Sequence, residues 1–215
     1  MLAFRENMKV LFIGDSITDC GRSRNSDRLL GDGYVGITTE LLNKEYTDLH
    51  LNFINRGISG NRVRDLKARW QEDCIGLAPD IVSILIGIND VWRRYSTNDP
   101  TSPDAFAEDY KNLLEAVKSE LSAQIIIIEP FVLPFPEDRK QWRDDLDPKI
   151  GVTRELAIEF ADAYVPMDGI FASASCVREP SFWAGDGVHP SQAGHMLIAR
   201  SWLTAAFGKT PLFPG

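Results

Sequence analysis

Cysteine is scarce in this 215-residue chain, and its three copies, Cys20, Cys74 and Cys176, suit neither a disulfide framework nor a zinc site by number or spacing. The odd count fits a reducing cytoplasm. Positive charge is in deficit too: a formal net charge of −8 argues against nucleic acid or another polyanion as ligand and favours a neutral small molecule or an oligosaccharide. Long apolar runs are missing. Near the N-terminus the longest is Val10 to Ile13, preceded by Arg5, Glu6 and Lys9, so the reading includes neither a signal peptide nor a membrane span. There is no metal-ligand cluster and no GxGxxG or Walker loop, so no metal and no cofactor is expected. Without a repeat or a break in composition, residues 1–215 read as one soluble globular domain, 44% hydrophobic and 25% charged.

What the chain does contain is organised around Met8 to Asp19, MKVLFIGDSITD. Its apolar run breaks at Gly14 into small polar residues, the pattern of a buried strand entering a tight turn. A serine there, Ser16, has its hydroxyl raised at the C-terminal end of the strand, where backbone N–H groups converge on a bound oxyanion. Gly-Asp-Ser is equally ordinary turn chemistry, so the rest of the chain must decide between nucleophile and turn.

Strand and helix signals alternate from there. A polar loop from Asp19 to Gly33 leads to a helix over about 34–46 and a strand from Leu49 to Ile54, which breaks at Asn55-Arg56-Gly57-Ile58-Ser59-Gly60. Asn61 reads as the N-cap of a helix that buries Val63, Leu66, Trp70 and Cys74 and turns Arg62, Arg64, Lys67 and Arg69 mostly outward. Asp80 to Ile86 is apolar at nearly every position, as a strand covered on both faces must be, and ends in Gly87-Ile88-Asn89-Asp90. Ser102-Pro103 opens a further helix, Ile125 to Ile128 forms a fourth strand, and the proline-bearing segment to about Pro148 reads as a long loop. A helix over about 148–161, a short strand at Tyr164-Val165, a helical stretch near 168–176 and a helix from Ser191 to about Phe207 complete the pattern. The apolar tail 208–215 is expected to pack on a neighbour or a partner subunit, which leaves a homo-oligomer open. Together these signals predict a three-layer α/β/α sandwich on a parallel sheet of about five strands, with Ser16, Gly57 and Asn89 gathered at its C-terminal edge.

A serine nucleophile needs a base, a carboxylate to orient it, and donors for the oxyanion. Of the three histidines, His50 begins a strand at the opposite edge, and His195 lies within the last helix on a different face from His189. That leaves His189. Asp186 precedes it by three residues through Gly187, a spacing that lets one turn aim carboxylate and imidazole at each other.

Four blocks in register, Gly14-Asp15-Ser16, Asn55 to Gly60, Gly87 to Asp90, and Asp186 with His189, resemble the SGNH hydrolases, the superfamily of GDSL-type esterases. That resemblance implies a flavodoxin-like SGNH fold, with Ser16 as nucleophile, His189 as base and Asp186 as its orienter. It also implies an oxyanion hole from the Ser16 and Gly57 N–H groups and the Asn89 amide. Longer strings, FIGDSITDCGR, GISGN, VRDLKARW, GINDVWR and VHPSQAGHM, are similar to the intracellular acetylxylan esterases within that superfamily. The implied substrate is a small acetylated sugar, deacetylated through an acyl-enzyme. An ordinary α/β-hydrolase is excluded, because Thr18 stands where the nucleophile elbow has glycine.

Two rival readings share the fold. A lipid or thioester hydrolase would use the same residues, and a flavodoxin-like binding module would hold a phosphate at the strand ends but leave Asp186 and His189 unemployed. Trp92 and Trp183 are each either a ring face for a pyranose or a core residue. Arg93 and Arg94 are expected to pair with nearby acids, and Asp15 and Asp90 to brace the turns.

Overall fold

The computed structural model describes residues 2–26 and 29–208. Five parallel strands, β1 (Lys9–Gly14), β2 (Asn52–Gly57), β3 (Ile81–Leu85), β4 (Gln124–Ile128) and β5 (Ala163–Val165), form one sheet in the order β2-β1-β3-β4-β5. Alternate residues of each strand serve opposite faces, so Val10 and Phe12 pack into one core layer and Leu11 and Ile13 into the other. The first layer is closed by α2 (Tyr34–Glu45) and α9 (Gln192–Phe207), which bring Tyr34 and Trp202 against Phe12. The second is closed by α3 (Val63–Asp73) and α5 (Pro103–Glu120), through Leu66, Trp70, Tyr110 and Leu113. Two of the core indoles are bonded: Trp202 Nε1 donates to Ser83 Oγ at 2.9 Å and Trp70 Nε1 to the Leu113 carbonyl at 3.1 Å. This is the expected α/β/α sandwich.

Register positions the site. Gly14 pairs with Gly57 on one side and with Leu85 on the other, so β1, β2 and β3 end level with one another. The short helix α1 (Ser16–Asp19) rises from the end of β1, and α4 (Ile88–Thr97) from the end of β3.

Several local expectations need correction. The β2 strand begins later than the apolar pattern suggests and runs through Asn55 to Gly57, because pairing with β1 extends across those polar residues, while Thr47–Leu49 forms a 3₁₀ turn. Asn61 is not the cap of α3. Arg62 occupies that place and is buried, with its backbone N–H donating to Asp65 at 2.8 Å and its guanidinium pairing with Asp99 at 2.8 Å. Asn89 and Asp90 lie in the first turn of a helix rather than in a loop. The segment before Pro148 is largely helical: a 3₁₀ stretch, Glu137–Trp142, leads into α6 (Arg143–Phe160), which contains Pro148. Near a helix start the proline costs only the partner of the Asp144 carbonyl, and burial of Trp142, Leu146 and Ile150 outweighs that loss. Ser102 caps α5 through its side chain, as expected, and Ser191 does the same for α9. The tail 209–215 lies outside the described residues. No helix among the described residues is long and apolar enough to cross a membrane.

Candidate active site

Each residue of Gly14-Asp15-Ser16 has a distinct structural job. A Cβ on Gly14 would lie 2.1 Å from the Leu85 carbonyl oxygen, so glycine is needed there because β3 runs too close for any side chain. Asp15 caps α1, its Oδ1 accepting from Ile17 N–H at 3.0 Å. Ser16 is thereby the first residue of that helix, half-buried, at the sheet's C-terminal edge.

The opposite wall is the turn Asp186-Gly187-Val188-His189, which follows α7 (Met167–Ser175) and the short helix α8 (Pro180–Trp183). Asp186 Oδ1 accepts from the Val188 and His189 N–H groups at 2.9 and 2.7 Å, which curls the turn onto its own carboxylate. Asp186 Oδ2 meets His189 Nδ1 at 2.6 Å, and His189 Nε2 lies 3.0 Å from Ser16 Oγ. Partial burial pushes the Asp186 carboxyl up, but the hydrogen bonds from the His189 ring and the two backbone N–H groups override it and hold the carboxyl well below the usual range. The bond to Asp186 raises the His189 pKa above its ordinary value, against the opposing pull of burial. A hydroxyl, an imidazole and an ionised carboxylate in this sequence can move a proton off the serine as it attacks a carbonyl.

Asn89 follows the end of β3, the strand next to β1, and is buried in the first turn of α4, where its Nδ2 donates to the Asn61 carbonyl at 3.1 Å and keeps its second hydrogen. Asp90 next to it accepts from Val63 N–H at 3.1 Å and so ties α4 to the start of α3. Burial pushes the carboxyls of Asp15 and Asp90 each up to about 7. Both brace backbone turns.

Gly57 is not available as the resemblance implies. Its N–H already donates to Asn55 Oδ1 at 2.8 Å, and a Cβ there would lie 2.2 Å from the Asp19 nitrogen, so this glycine lets β2 press against α1. Asn55 completes the clamp through Nδ2, which donates to the Thr18 and Leu30 carbonyls at 2.7 and 2.8 Å. Three residues on, Gly60 has a left-handed φ of +83°, precedes the peptide that holds Asn89, and has no acceptor for its N–H among the described residues.

The two tryptophans separate. Trp92 lies at the site, its ring 5.7 Å from that of His189 and 5.2 Å from that of Trp142. Trp183 stacks edge-on with Phe182 and donates from Nε1 to the Arg178 carbonyl at 3.3 Å, and it makes no ring contact with His189. Arg94 pairs with Asp145 at 3.4 Å, as expected. Arg93 instead has no acidic partner among the described residues and brings Nη2 beside Gly60. Sequence reasoning missed Arg139 and Trp142. The Arg139 guanidinium stacks on Trp142 at 4.2 Å and on Trp92 at 5.4 Å, and its Nε donates to the Asp186 carbonyl at 3.0 Å. No signal in the chain marks that link, which spans 47 residues. His195 is buried, with Nδ1 accepting from Tyr34 N–H and Nε2 against Cys20 Sγ, while His50 is exposed far from the site.

Residues 12–197 match the GDSL-like lipase/acylhydrolase family. An acetylxylan esterase from Geobacillus stearothermophilus is 42% identical over 202 residues, covering 91% of this chain and 92% of that protein. The crystal structure of Axe2, an acetylxylan esterase from the same organism, superposes with a TM-score of 0.86 at 38% identity, covering 95% of this chain and 96% of that one. A structure from Parabacteroides merdae superposes with a TM-score of 0.92 at 36% identity, covering 97% and 99%. The chain belongs to the GDSL-like lipase/acylhydrolase family.

Proposed function

We propose that this protein is a serine esterase that removes acetyl groups from xylo-oligosaccharides or closely related sugars. The observation that carries the reading is the unbroken relay from Ser16 Oγ through His189 to Asp186, with links of 3.0 and 2.6 Å. His189 Nε2 takes the Ser16 proton as Oγ attacks the acetyl carbonyl, and Asp186 holds the ring with Nδ1–H toward itself and stabilises the imidazolium that forms. Charge on the carbonyl oxygen is met by Ser16 N–H, the remaining hydrogen of Asn89 Nδ2 and, in place of the occupied Gly57, the N–H of Gly60. The tetrahedral adduct then expels the sugar hydroxyl, which receives its proton from His189, and a water activated by the same imidazole releases acetate.

Support for the substrate comes from the relatives and from the walls of the site. The Geobacillus protein is also described as an acetyl-xylooligosaccharide esterase, and its catalytic variants replace a serine and a histidine by alanine. The Trp92 ring lies 5.7 Å from that of His189, backed by Trp142 and Arg139, which supports a ring face for a sugar at the site. The three cysteines are free thiols, with Cys74 buried, which supports the cytoplasm as the working compartment.

The test is acetate release from acetylated xylobiose alongside aryl esters of increasing acyl length. Acetate release with kcat/KM falling from acetyl to octanoyl is the expected result. Steadily rising kcat/KM with chain length, or no acetate from the sugar at high enzyme, would replace this reading with a lipid or thioester hydrolase.

A further inference from the structure

Beside the C-terminal end of α1 lies an open cleft of about 420 Å³ lined by Arg22, Arg24, Asn25, Arg56, Ile58 and Asp73. Arg22, Arg24 and Arg56 line it, with Asp73 paired to Arg56 at 3.4 Å and Asp19 paired to Arg24 at 2.6 Å, in a chain of net charge −8. Arg22 sits at its back with a side chain only 7% exposed. Its Nε donates to the Gly57 carbonyl at 2.6 Å, and Arg24 Nη1 converges on the same oxygen at 3.0 Å. Neither Nη group of Arg22 has a hydrogen-bond partner among the described residues; its Nε pairs with Asp19 Oδ1 at 3.8 Å, and Oδ2 of that carboxylate is bonded to Arg24 at 2.6 Å. Burial lowers the Arg22 pKa, and the like charge of Arg24 adds to that. Neither Nη atom is a fully buried unpaired donor, so both remain open to solvent at the cleft and available to an incoming anion.

We propose that this cleft is a subsite for a carboxylate carried by the sugar substrate, a uronic acid unit, with Arg22 as its central ligand. The proposal rests on the sugar-ester reading above. A planar carboxylate accepts both Nη groups of one arginine in parallel, which matches the donors that Arg22 has left. The cleft is also within reach of the chemistry: from its lining residue Ile58 to Gly60, beside Asn89, the chain spans at most about 10 Å. An overall negative protein repels an acidic oligosaccharide, so a local cationic patch near the site is what would let one bind.

The experiment compares two acetylated xylo-oligosaccharides of equal length, one neutral and one bearing a single glucuronic acid, with an aryl acetate as control. The expected result is an acidic-to-neutral kcat/KM ratio of about 10, carried mostly by KM and collapsing toward 1 in 0.5 M salt, given the size and screening of charge-assisted contacts. In Arg22→Gln the ratio drops to about 1, and Arg24→Gln, half-exposed, provides a second variant should the first fail to fold. A wild-type ratio of 1 or below overturns the proposal. If neither oligosaccharide releases acetate while the aryl acetate turns over, the sugar-ester reading has failed instead, and titration calorimetry then decides on the subsite alone. Binding of methyl glucuronoside in preference to methyl xyloside and inorganic phosphate supports it. Equal or tighter phosphate binding, or no binding, overturns it.

Discussion

Gly187 and Phe135 are in contact through their backbones: a Cβ on Gly187 would lie 2.1 Å from the Phe135 carbonyl oxygen, and the glycine has a left-handed φ of +81°. The same turn accepts the Leu133 N–H at the Gly187 carbonyl at 2.9 Å and the Arg139 Nε at the Asp186 carbonyl at 3.0 Å. Segment 131–139 is therefore the support on which Asp186 and His189 rest. Gly187→Ala combines an unfavourable φ with a backbone collision, so it should cost about 1–3 kcal/mol of stability and lower kcat by about 10²-fold or more. Thermal unfolding with steady-state kinetics on an aryl acetate checks both. Unchanged kcat would show that the turn keeps its aim without this contact.

Ser16→Ala is expected to abolish turnover while leaving the melting temperature within a few degrees of wild type. The hydroxyl is half-buried at the site, and its bond to His189 is the only one it makes among the described residues. Titration by a fluorophosphonate, stoichiometric in the wild type and absent in the variant, gives a readout independent of substrate choice. More than trace activity in a clean preparation would move the nucleophile elsewhere.

If Asn89 serves the oxyanion as proposed, Asn89→Ala removes a donor that acts on charge developing only in the transition state, so kcat should fall by roughly 10²- to 10³-fold with little change in KM. Its loss also frees the Asn61 carbonyl, so thermal stability is measured in parallel. A raised KM at constant kcat would make Asn89 a substrate-binding residue instead.

Activity should rise with pH as His189 loses its proton, since only the neutral imidazole accepts the Ser16 proton. The bond to Asp186 raises the His189 pKa, so the midpoint of kcat/KM should lie above the ordinary histidine value of about 6.5. A midpoint well below it would mean that burial outweighs Asp186.

Asp90 gives the opposite kind of linkage. Burial raises its pKa in the folded state from 3.8 to about 7, so between those values the native protein binds more protons than the unfolded chain, and stability falls as pH rises through that window. Asp90→Asn keeps an oxygen for Val63 N–H and removes the titration, so the variant should lose part of that slope and gain about 2–5 °C in Tm at pH 8. A slope identical to wild type would place the proton uptake on other groups.

Contacts local in the chain were legible in the sequence, and so were elements whose burial follows a simple period. The Asp186–His189 pair is three residues apart, the Ser102 cap bonds within its own helix, and β3 and β4 announce themselves as unbroken apolar runs because a parallel sheet buries both faces. Four short blocks could then be placed at one edge, since parallel strands in register must end together. What only the tertiary structure decided depends on neighbours far along the chain. Which glycine keeps a free N–H turned on Asn55 folding back to take that of Gly57, and the sequence treats the two glycines alike. The links from Arg139 to Asp186 and Trp92 exist because α6 begins at Arg143, ahead of a proline that suggested loop, and brings the 3₁₀ turn before it against the site. Arg22 reads as one more charge in a polar loop, yet the Gly57 carbonyl and the end of α1 draw it out of water. Periodicity records which side of an element is buried. It carries no record of which distant partner does the burying, and at this site that partner determines which donors remain for a substrate.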